Sequence, residues 1–185
     1  MNELWLVRHG ATEWSEAGRH TSVTDLPLLP EGEEVARGLA PRLADVGFAE
    51  VRTSPRLRAR RTAELAGFPD AVLDEDLVEW AYGDYEGITT EDIRTTVPGW
   101  TTWTHPAPGG ESAEEITRRL DRFIEHARSV DGPVLAFGHG HSLRALAARW
   151  LELPVSDGRH FKLDTATVSV LGWERETPVV LRWNS

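Results

Sequence analysis

Residues 4–10, LWLVRHG, decide the fold of this chain. Four apolar residues in a row are typical of a β-strand buried on both faces, as in a parallel sheet that helices cover. The run stops at Arg8 and His9, and Gly10 follows. This ending has two interpretations: a strand closed by a basic corner and a turn, or a strand that holds an imidazole and a guanidinium in place for function.

A second apolar strand has the same ending. Residues 134–140 read VLAFGHG, so His139 also follows a buried run and stands beside glycine. Ligands of α/β sheets bind beyond the carboxyl ends of the strands, and two neighbouring parallel strands would bring His9 and His139 to one edge. Glycine beside a histidine lets the backbone approach a ligand closely. We therefore expect both histidines to belong to one site.

Apolar strands alternate with helical patterns along the chain, which predicts an α/β architecture. The predicted strands are short apolar runs at 4–7, 49–53, 71–73, 134–137, 165–173 and 178–183. The predicted helices, marked by a 3.6-residue apolar period or by a cap, cover 31–45, 56–66, 112–129 and 140–151. In the first helix Val35, Leu39 and Leu43 share one face, which we expect to be buried.

The composition is that of an ordinary globular protein. The 185 residues are 40% hydrophobic and 27% charged, and we expect a single domain over 1–185 with an irregular, small cap at about 88–110. The net charge of −10 argues against a nucleic-acid or membrane partner. The chain has no cysteine and no signal-peptide pattern, so we expect a cytoplasmic location. The sequence does not indicate the oligomeric state.

Residues 54–63, SPRLRARRTA, carry four arginines at the start of a predicted helix. The free amides and the dipole of a helix N-terminus favour an anion. The four side chains cannot all face one way at 3.6 residues per turn. We expect Arg58 to point inward and Arg56, Arg60 and Arg61 to lie in solvent.

Residues 79–87, EWAYGDYEG, place several carboxylates beside aromatic rings. An aromatic neighbour can desolvate a carboxyl group and raise its pKa toward that of a general acid. The pattern does not by itself choose among Glu79, Asp84 and Glu86.

Together these motifs resemble the histidine phosphatase superfamily, also called phosphoglycerate mutase-like, over nearly the whole chain. The matching segments occur in the family's order and are LVRHGATEW at 6–14, TDLPL at 24–28, SPRLRA at 54–59, the 79–87 segment, GES at 110–112 and GHG at 138–140. Within the family the similarity is greatest to the acid phosphatase and sedoheptulose-bisphosphatase-like branch. The resemblance implies a three-layer α/β/α sandwich with a mostly parallel central sheet.

The resemblance also implies roles for individual residues. His9 would be the nucleophile, Glu79 the proton donor, and Arg8, Arg58 and His139 the rest of the phosphate pocket. The substrate-binding residues would be Ser15, Thr21, Ser22, Tyr82 and Gly140. The implied activity is a metal-independent phosphomonoesterase without a cofactor, which forms a phosphohistidine and acts on small phosphate esters such as sugar phosphates.

Three departures from the family pattern leave questions open. Ser15, Ser22 and His141 stand where relatives often have asparagine, glycine, and glycine or asparagine, respectively. The role of His141 is therefore not predicted.

Three other functions also fit parts of the sequence. A phosphoglycerate mutase-type phosphotransferase would need a larger cap than residues 88–110, where Arg94 is the only cation. A metal site of His9, His139 and His141 would be opposed by the neighbouring arginines. A non-catalytic phospho-ligand binding protein would not need Glu79. Hydrolysis is the function that the sequence favours.

Overall fold

The computed structural model describes residues 2–185, in which six strands form one sheet with helices on both sides. The strands are β1 (Leu4–Arg8), β2 (Glu50–Thr53), β3 (Val72–Leu73), β4 (Val134–Gly138), β5 (Val168–Glu174) and β6 (Thr177–Arg182). The helices are α1 (Glu13–Glu16), α2 (Pro30–Arg37), α3 (Ala40–Leu43), α4 (Leu57–Leu65), α5 (Thr90–Arg94), α6 (Ala113–Ser129) and α7 (Gly140–Trp150). Short 3₁₀ helices cover Glu75–Leu77, Gly83–Tyr85 and Val155–His160.

The strand order is β3-β2-β4-β1-β5-β6. Strands β3, β2, β4 and β1 are parallel to one another, whereas β5 is antiparallel to β1 and β6 is antiparallel to β5. The sheet is therefore mostly parallel, as predicted. Strand β1 lies inside the sheet, directly beside β4, so the two strands that end in histidine are neighbours.

Alternate residues of β1 separate the two faces of the sheet. Leu4 and Leu6 pack into a core that helices α6 and α7 cover. Trp5 and Val7 point the other way, toward the core formed with α3 and α4. The predicted three-layer α/β/α sandwich is confirmed.

Helix α6 begins with a capping box, as the sequence predicts. The Ser112 hydroxyl accepts the Glu115 amide, and the Glu115 carboxylate accepts the Ser112 amide. Both interactions satisfy amides that the first helical turn leaves free. The predicted inward residues Ile116, Leu120, Phe123 and Ile124 are all buried.

The prediction of one continuous helix over 31–45 is wrong. Two helices occupy this stretch, α2 and α3, and the chain breaks between them at Gly38 and Leu39. Pro41 cannot donate a backbone hydrogen bond, and its ring would clash with the carbonyl four residues earlier, so α2 cannot continue through it, whereas the first turn of α3 accommodates it. Leu39 and Leu43 are buried, but Val35 is 55% exposed. The buried face that Leu39 and Leu43 share therefore does not continue into α2.

Two of the predicted strands differ in extent. The strand predicted at 165–173 begins only at Val168, because residues 165–167 form a turn in which Ala166 has φ of 53°. The Ala166 amide donates to the carbonyls of Arg8 and His9, at 3.0 and 3.2 Å. The turn thus closes over the end of β1. Strand β3 has only two residues, both exposed at the edge of the sheet.

Residues 88–110 pack against the body of the protein. Trp100 is 1% exposed, and its indole donates to the Pro106 carbonyl at 3.4 Å. Helix α5 lies in this segment and begins with a capping interaction from Thr89. No helix within residues 2–185 is long and apolar enough to cross a membrane.

Candidate active site

The two histidines meet at the carboxyl edge of the sheet. Arg8 is opposite Gly138 in the register of β1 and β4, and the His9 amide donates to the Gly138 carbonyl at 3.0 Å. The His9 and His139 ring centroids are 5.2 Å apart, with the ring planes at 62°. The sequence-based expectation that both lie at one edge is confirmed.

The His9 ring is held in one tautomer. Its Nδ1 lies 2.7 Å from the Gly10 carbonyl, which can only accept, so Nδ1 carries the proton and Nε2 has a free lone pair. Burial lowers the pKa of His9 well below 6.5, and the charges of Arg58 and Arg8 lower it further. The ring is therefore neutral, as a nucleophile must be.

Gly10 is required by the close packing of this corner. A Cβ atom at Gly10 would lie 2.7 Å from the carbonyl oxygen of Gly32 in helix α2. The Gly10 amide also donates to the Thr62 hydroxyl of α4 at 3.0 Å. The turn after His9 is thus clamped between two helices, which leaves the carbonyl that orients the ring little freedom to move.

Two guanidinium groups accompany the histidines, one of them, that of Arg58, fully buried. Arg58 is 0% exposed and donates to the carbonyls of Thr21, Ser22 and Thr24. Arg8 donates to the Leu163 carbonyl at 2.6 Å. The Nε atoms of both arginines are buried, and within residues 2–185 neither has a hydrogen-bond partner. Buried donors without partners are costly, and an anion in the site would satisfy them.

His139 lies at the start of helix α7 and is completely buried. Its Nε2 lies 2.7 Å from the Ser54 hydroxyl, and its Nδ1 has no partner among the described residues. Burial lowers the pKa of His139 well below its ordinary value, and Arg58 is the next largest cause. The neutral His139 ring therefore keeps Nδ1 available for a hydrogen bond.

Glu79 faces the first turn of α7. One carboxylate oxygen accepts the Trp80 and Ser142 amides at 2.9 and 2.7 Å, and the other accepts the His141 amide at 3.0 Å. These bonds occupy amides that a helix start leaves free. They fix the carboxyl group at the wall of the cavity.

A cavity of about 220 Å³ opens beside these groups. Its lining includes the predicted residues Arg8, His9, Ser15, Thr21, Glu79, Tyr82 and Gly140. The structure does not place Arg58 or His139 in the lining. A Cβ atom at Gly140 would lie 3.4 Å from the Arg8 guanidinium carbon, so the start of α7 lies directly against Arg8.

Ser22 also lies outside the lining of this cavity. It is 3% exposed, and its hydroxyl donates to the Glu86 carboxylate at 2.5 Å. The Glu86 carboxylate also accepts the amides of Ser22 and Thr24. Glu86 and Ser22 therefore shape the loop whose carbonyls hold Arg58.

Sequence reasoning assigned no role to several residues of the cavity wall. They are Arg19, His20, His141 and Arg144. Helical spacing could have found Arg144, because it lies four residues after Gly140 on the same helix. His20 had no local signal, since it reaches the cavity through a bridge between Arg19 and Thr89.

His141, whose role the sequence left open, lies among aromatic side chains. Its Nδ1 is 2.6 Å from the Tyr82 hydroxyl, and its ring centroid is 5.1 Å from that of Trp103. Burial lowers the pKa of His141 well below its usual value and lowers that of His20 to about 4. Within residues 2–185, no group of three or more histidine or acidic side chains has the arrangement of a metal site.

Comparison with known proteins defines the class to which this fold and site belong. The family model of the histidine phosphatase superfamily (branch 1) matches residues 4–185. The chain is 40% identical to an acid phosphatase of Mycobacterium tuberculosis over 179 residues, which cover 94% of this chain and 87% of that protein. It is 35% identical to sedoheptulose 1,7-bisphosphatase of Saccharomyces cerevisiae, covering 81% and 68%, respectively.

A solved structure supports the same relationship. The product of a Mycobacterium tuberculosis open reading frame superposes with a TM-score of 0.92 at 37% identity, covering 99% of this chain and 97% of that one. The chain therefore belongs to the histidine phosphatase superfamily, and it is a phosphatase. The predicted branch of acid phosphatases and sedoheptulose bisphosphatases is confirmed.

Proposed function

We propose that this protein is a metal-independent phosphomonoesterase that hydrolyses small phosphate esters through a phosphohistidine at His9. The observation that carries the proposal is the neutral His9 ring, whose Nδ1 is bound to Gly10 and whose Nε2 is free, beside two arginines whose buried Nε atoms have no partner within residues 2–185. A phosphate ester carries two negative charges that repel a nucleophile. Arg8 and Arg58 would neutralise them, which is a task that metal ions perform in other phosphoryl-transfer sites.

In the first half of the reaction, the lone pair of His9 Nε2 attacks phosphorus, and the bond from phosphorus to the leaving oxygen breaks. Glu79 transfers a proton to that oxygen, so the product leaves as an alcohol rather than as an alkoxide. Arg8, Arg58 and His139 stabilise the charge that spreads over the other phosphoryl oxygens.

In the second half, water attacks the phosphohistidine. Glu79, now ionised, accepts a proton from the water as the bond between phosphorus and Nε2 breaks. Inorganic phosphate leaves, and both His9 and Glu79 return to their starting states. One carboxyl group thus acts first as acid and then as base.

The size of the cap favours water over a second alcohol as the acceptor. A mutase must shield its phosphoenzyme from water. Residues 88–110 are few; Thr90 of this segment lines the cavity, while Trp100 is buried against the body of the protein. Transfer to water is therefore the expected outcome, and a mutase activity would be small.

The charge of the cavity suggests the substrate class. Arg19 and Arg144 line it in addition to Arg8, and among residues 2–185 Glu79 is the only acidic one in the lining. Once Arg8 and Arg58 hold one phosphate, the other two arginines can meet a second anionic group. A sugar phosphate with a further phosphate or carboxylate fits this arrangement, and one relative is a sedoheptulose 1,7-bisphosphatase. Broad specificity among such esters is equally consistent with the open cavity.

The domain organisation and location belong to the same proposal. Residues 1–185 act as one histidine phosphatase domain, since the site draws on segments from both ends of the chain, from Arg8 to Leu163. The absence of cysteine suits the reducing cytoplasm.

The test combines an activity assay with trapping of the intermediate. Hydrolysis of nitrophenyl phosphate should continue in EDTA and fall by roughly a thousandfold or more in His9→Ala. Rapid quenching of the wild type should give a protein heavier by one phosphoryl group, with the label on His9. The control is His160→Ala at an exposed position, which should keep full activity. An activity lost in EDTA, or retained in His9→Ala, would contradict the proposal.

A further inference from the structure

The cavity beside His9 is lined by uncharged hydrogen-bonding side chains as well as by arginines. The uncharged ones are Ser15, His20, Thr21, Tyr82, Thr90 and His141. A hydroxyl group or a neutral imidazole has one polar proton, so it donates one hydrogen bond at a time. The place of each proton therefore decides which of these side chains can still donate to a substrate.

Most of these side chains already form hydrogen bonds within the protein. The hydroxyls of Ser15 and Thr21 donate to backbone carbonyls at 2.9 and 3.0 Å. The Nε2 atom of His20 and the Thr90 hydroxyl lie 3.1 Å apart and share one hydrogen bond. Ser15 and Thr21 can therefore accept a further hydrogen bond, but they have no second proton to donate.

The Tyr82 hydroxyl is committed to His141. It lies 2.6 Å from Nδ1 of that residue, its only hydrogen-bond partner within residues 2–185. Tyr82 is 2% exposed, so its proton needs an acceptor inside the protein. Burial lowers the pKa of His141 well below its ordinary value, so the ring is neutral. The Tyr82 hydroxyl therefore donates to Nδ1, and the proton of the His141 ring is on Nε2.

The Nε2 atom of His141 is free to donate into the cavity. It makes no hydrogen bond within residues 2–185, and unlike Nδ1 of His139 it is accessible rather than buried. The residue lines the cavity, and its ring is packed between two others: the ring centroids of Trp103 and His20 are 5.1 and 5.9 Å away. An oriented donor without a protein partner is thus held at the cavity wall.

His141 also contacts the proposed proton donor. Its backbone amide donates to a Glu79 carboxylate oxygen at 3.0 Å. In the proposed reaction Glu79 protonates the oxygen of the leaving alcohol, so the His141 ring lies on the alcohol side of the phosphate. Because one residue makes both contacts, a group that reaches Nε2 belongs to the alcohol, within a few bonds of the ester oxygen.

We propose that His141 is a specificity-determining residue, which donates a hydrogen bond from Nε2 to an uncharged oxygen of the leaving alcohol, and that Tyr82 is its positioning residue. This inference rests on the proposed function, because it concerns the substrate of the same site. Arg19 and Arg144 select for negative charge, whereas His141 selects for a hydroxyl or carbonyl oxygen. Phosphate esters of polyols are therefore favoured over esters of plain alcohols.

The test compares two esters with the same carbon skeleton. Glycerol 3-phosphate has two hydroxyl groups that n-propyl phosphate lacks. We expect kcat/KM of the wild type to be about tenfold or more higher for glycerol 3-phosphate, and His141→Phe to lower this preference about tenfold. The contacted oxygen does not react, so the loss should appear in KM, with kcat changed by no more than about twofold. His141→Gln, which restores an N–H donor, should keep the preference within about threefold of the wild type.

Tyr82→Phe separates positioning from direct contact. Without the hydroxyl the proton of His141 can move to Nδ1, so the preference should fall about threefold. In the His141→Phe background the same change should have no further effect on the preference, because the hydroxyl acts through the imidazole. An equal loss in that background would overturn the positioning role of Tyr82.

His160→Phe, at an exposed position, is the matched control and should leave the kinetics of both esters unchanged. The same preference in the wild type and in His141→Phe would overturn the inference. A fall of kcat for both esters in His141→Phe, not restored in His141→Gln, would also overturn it, because it would show that the ring only supports Glu79.

Calorimetry with His9→Ala distinguishes this inference from the phosphatase reaction. We expect that variant to bind glycerol 3-phosphate about tenfold more tightly than n-propyl phosphate, and the double variant with His141→Phe to bind both alike. This result would support the His141 contact even if the wild type hydrolysed no ester. Hydrolysis of nitrophenyl phosphate that depends on His9, without any binding preference between the two esters, would refute the His141 contact alone.

Discussion

Glu79 illustrates how a single residue can be set by backbone amides rather than by side chains. Its two oxygens accept three amides, two of them from the first turn of α7. The same turn carries Gly140 beside Arg8, so Glu79 and Arg8 are both positioned by one rigid element. The amides fix the place of the carboxyl group, which the proposed proton transfers at one position require.

Glu79→Gln tests that role through the leaving group. An alkoxide needs a proton to depart, whereas nitrophenolate is stable without one. We expect kcat to fall by about a hundredfold to a thousandfold for an alkyl phosphate, and by about tenfold or less for nitrophenyl phosphate. Initial rates with both substrates measure the difference.

Glu125→Gln is the matched control, because Glu125 is exposed on α6 and far along the helix from its start. It should change neither rate. Equal losses for the two substrates in Glu79→Gln would remove Glu79 from the role of acid.

At the scale of elements, the backbone around Gly83 packs directly against the backbone of residues 108–110. The Asp84 amide donates to the Pro108 carbonyl at 2.8 Å, and the Glu111 amide donates to the Ala81 carbonyl at 2.9 Å. Gly83 has φ of 52°, and a Cβ atom there would lie 2.1 Å from the Pro108 oxygen. The close approach attaches the small cap to the segment that carries Glu79 and Tyr82.

Gly83→Ala should therefore destabilise the protein by about 3 kcal/mol or more, because left-handed strain and overpacking act together. Gly18→Ala is the matched comparison. Gly18 has φ of 67°, but nothing lies within 4 Å of its would-be Cβ atom, so only the backbone strain of about 1 kcal/mol applies. Urea unfolding of the two variants gives both free energies. Similar losses would show that packing against Pro108 contributes nothing.

At the scale of the whole molecule, buried histidines couple stability to pH. His9, His20 and His139 are buried, and burial lowers the pKa of each below its ordinary value of 6.5. The unfolded chain binds protons at these sites near pH 6.5, whereas the folded chain does not. Stability is therefore complete above pH 6.5 and is lost as the pH falls toward the folded pKa values.

Between pH 6.5 and 5.5 the free energy of unfolding should decrease by about 1 kcal/mol for each of these histidines. His141 acts in the same direction. Urea unfolding at the two pH values measures the decrease, and in His20→Asn it should be smaller by about 1 kcal/mol. His160→Asn, at an exposed position, is the control. A decrease of the same size in His20→Asn and the wild type would contradict this account.

The core of the site was predictable because it depends on short-range signals. Strands β1 and β4 are recognisable as apolar runs, and each ends in histidine beside glycine. The inward orientation of Arg58 follows from its place in the first turn of α4. Of the other arginines in that segment, Arg60 is exposed and Arg56 and Arg61 are partly exposed, close to the predicted orientation.

Other outcomes depend on contacts between distant segments. Ser22 is predicted to bind substrate, and in the structure Glu86, 64 residues away, accepts its hydroxyl. Val35 was expected in the core, but the break before α3 turns its face to solvent. Neither outcome has a local sequence signal, except that Pro41 argues against a continuous helix.

The sequence by itself determined the class of the fold, the adjacency of His9 and His139, and the family, because strand patterns and motif order are local properties of the chain. Only the tertiary structure decided that Arg144 and His20 line the cavity beside His9 and that three amides hold Glu79. It also decided that Tyr82 separates this cavity from a second one lined by tryptophans. These outcomes depend on contacts between residues tens of positions apart. Such contacts form only when the packed layers bring the segments together.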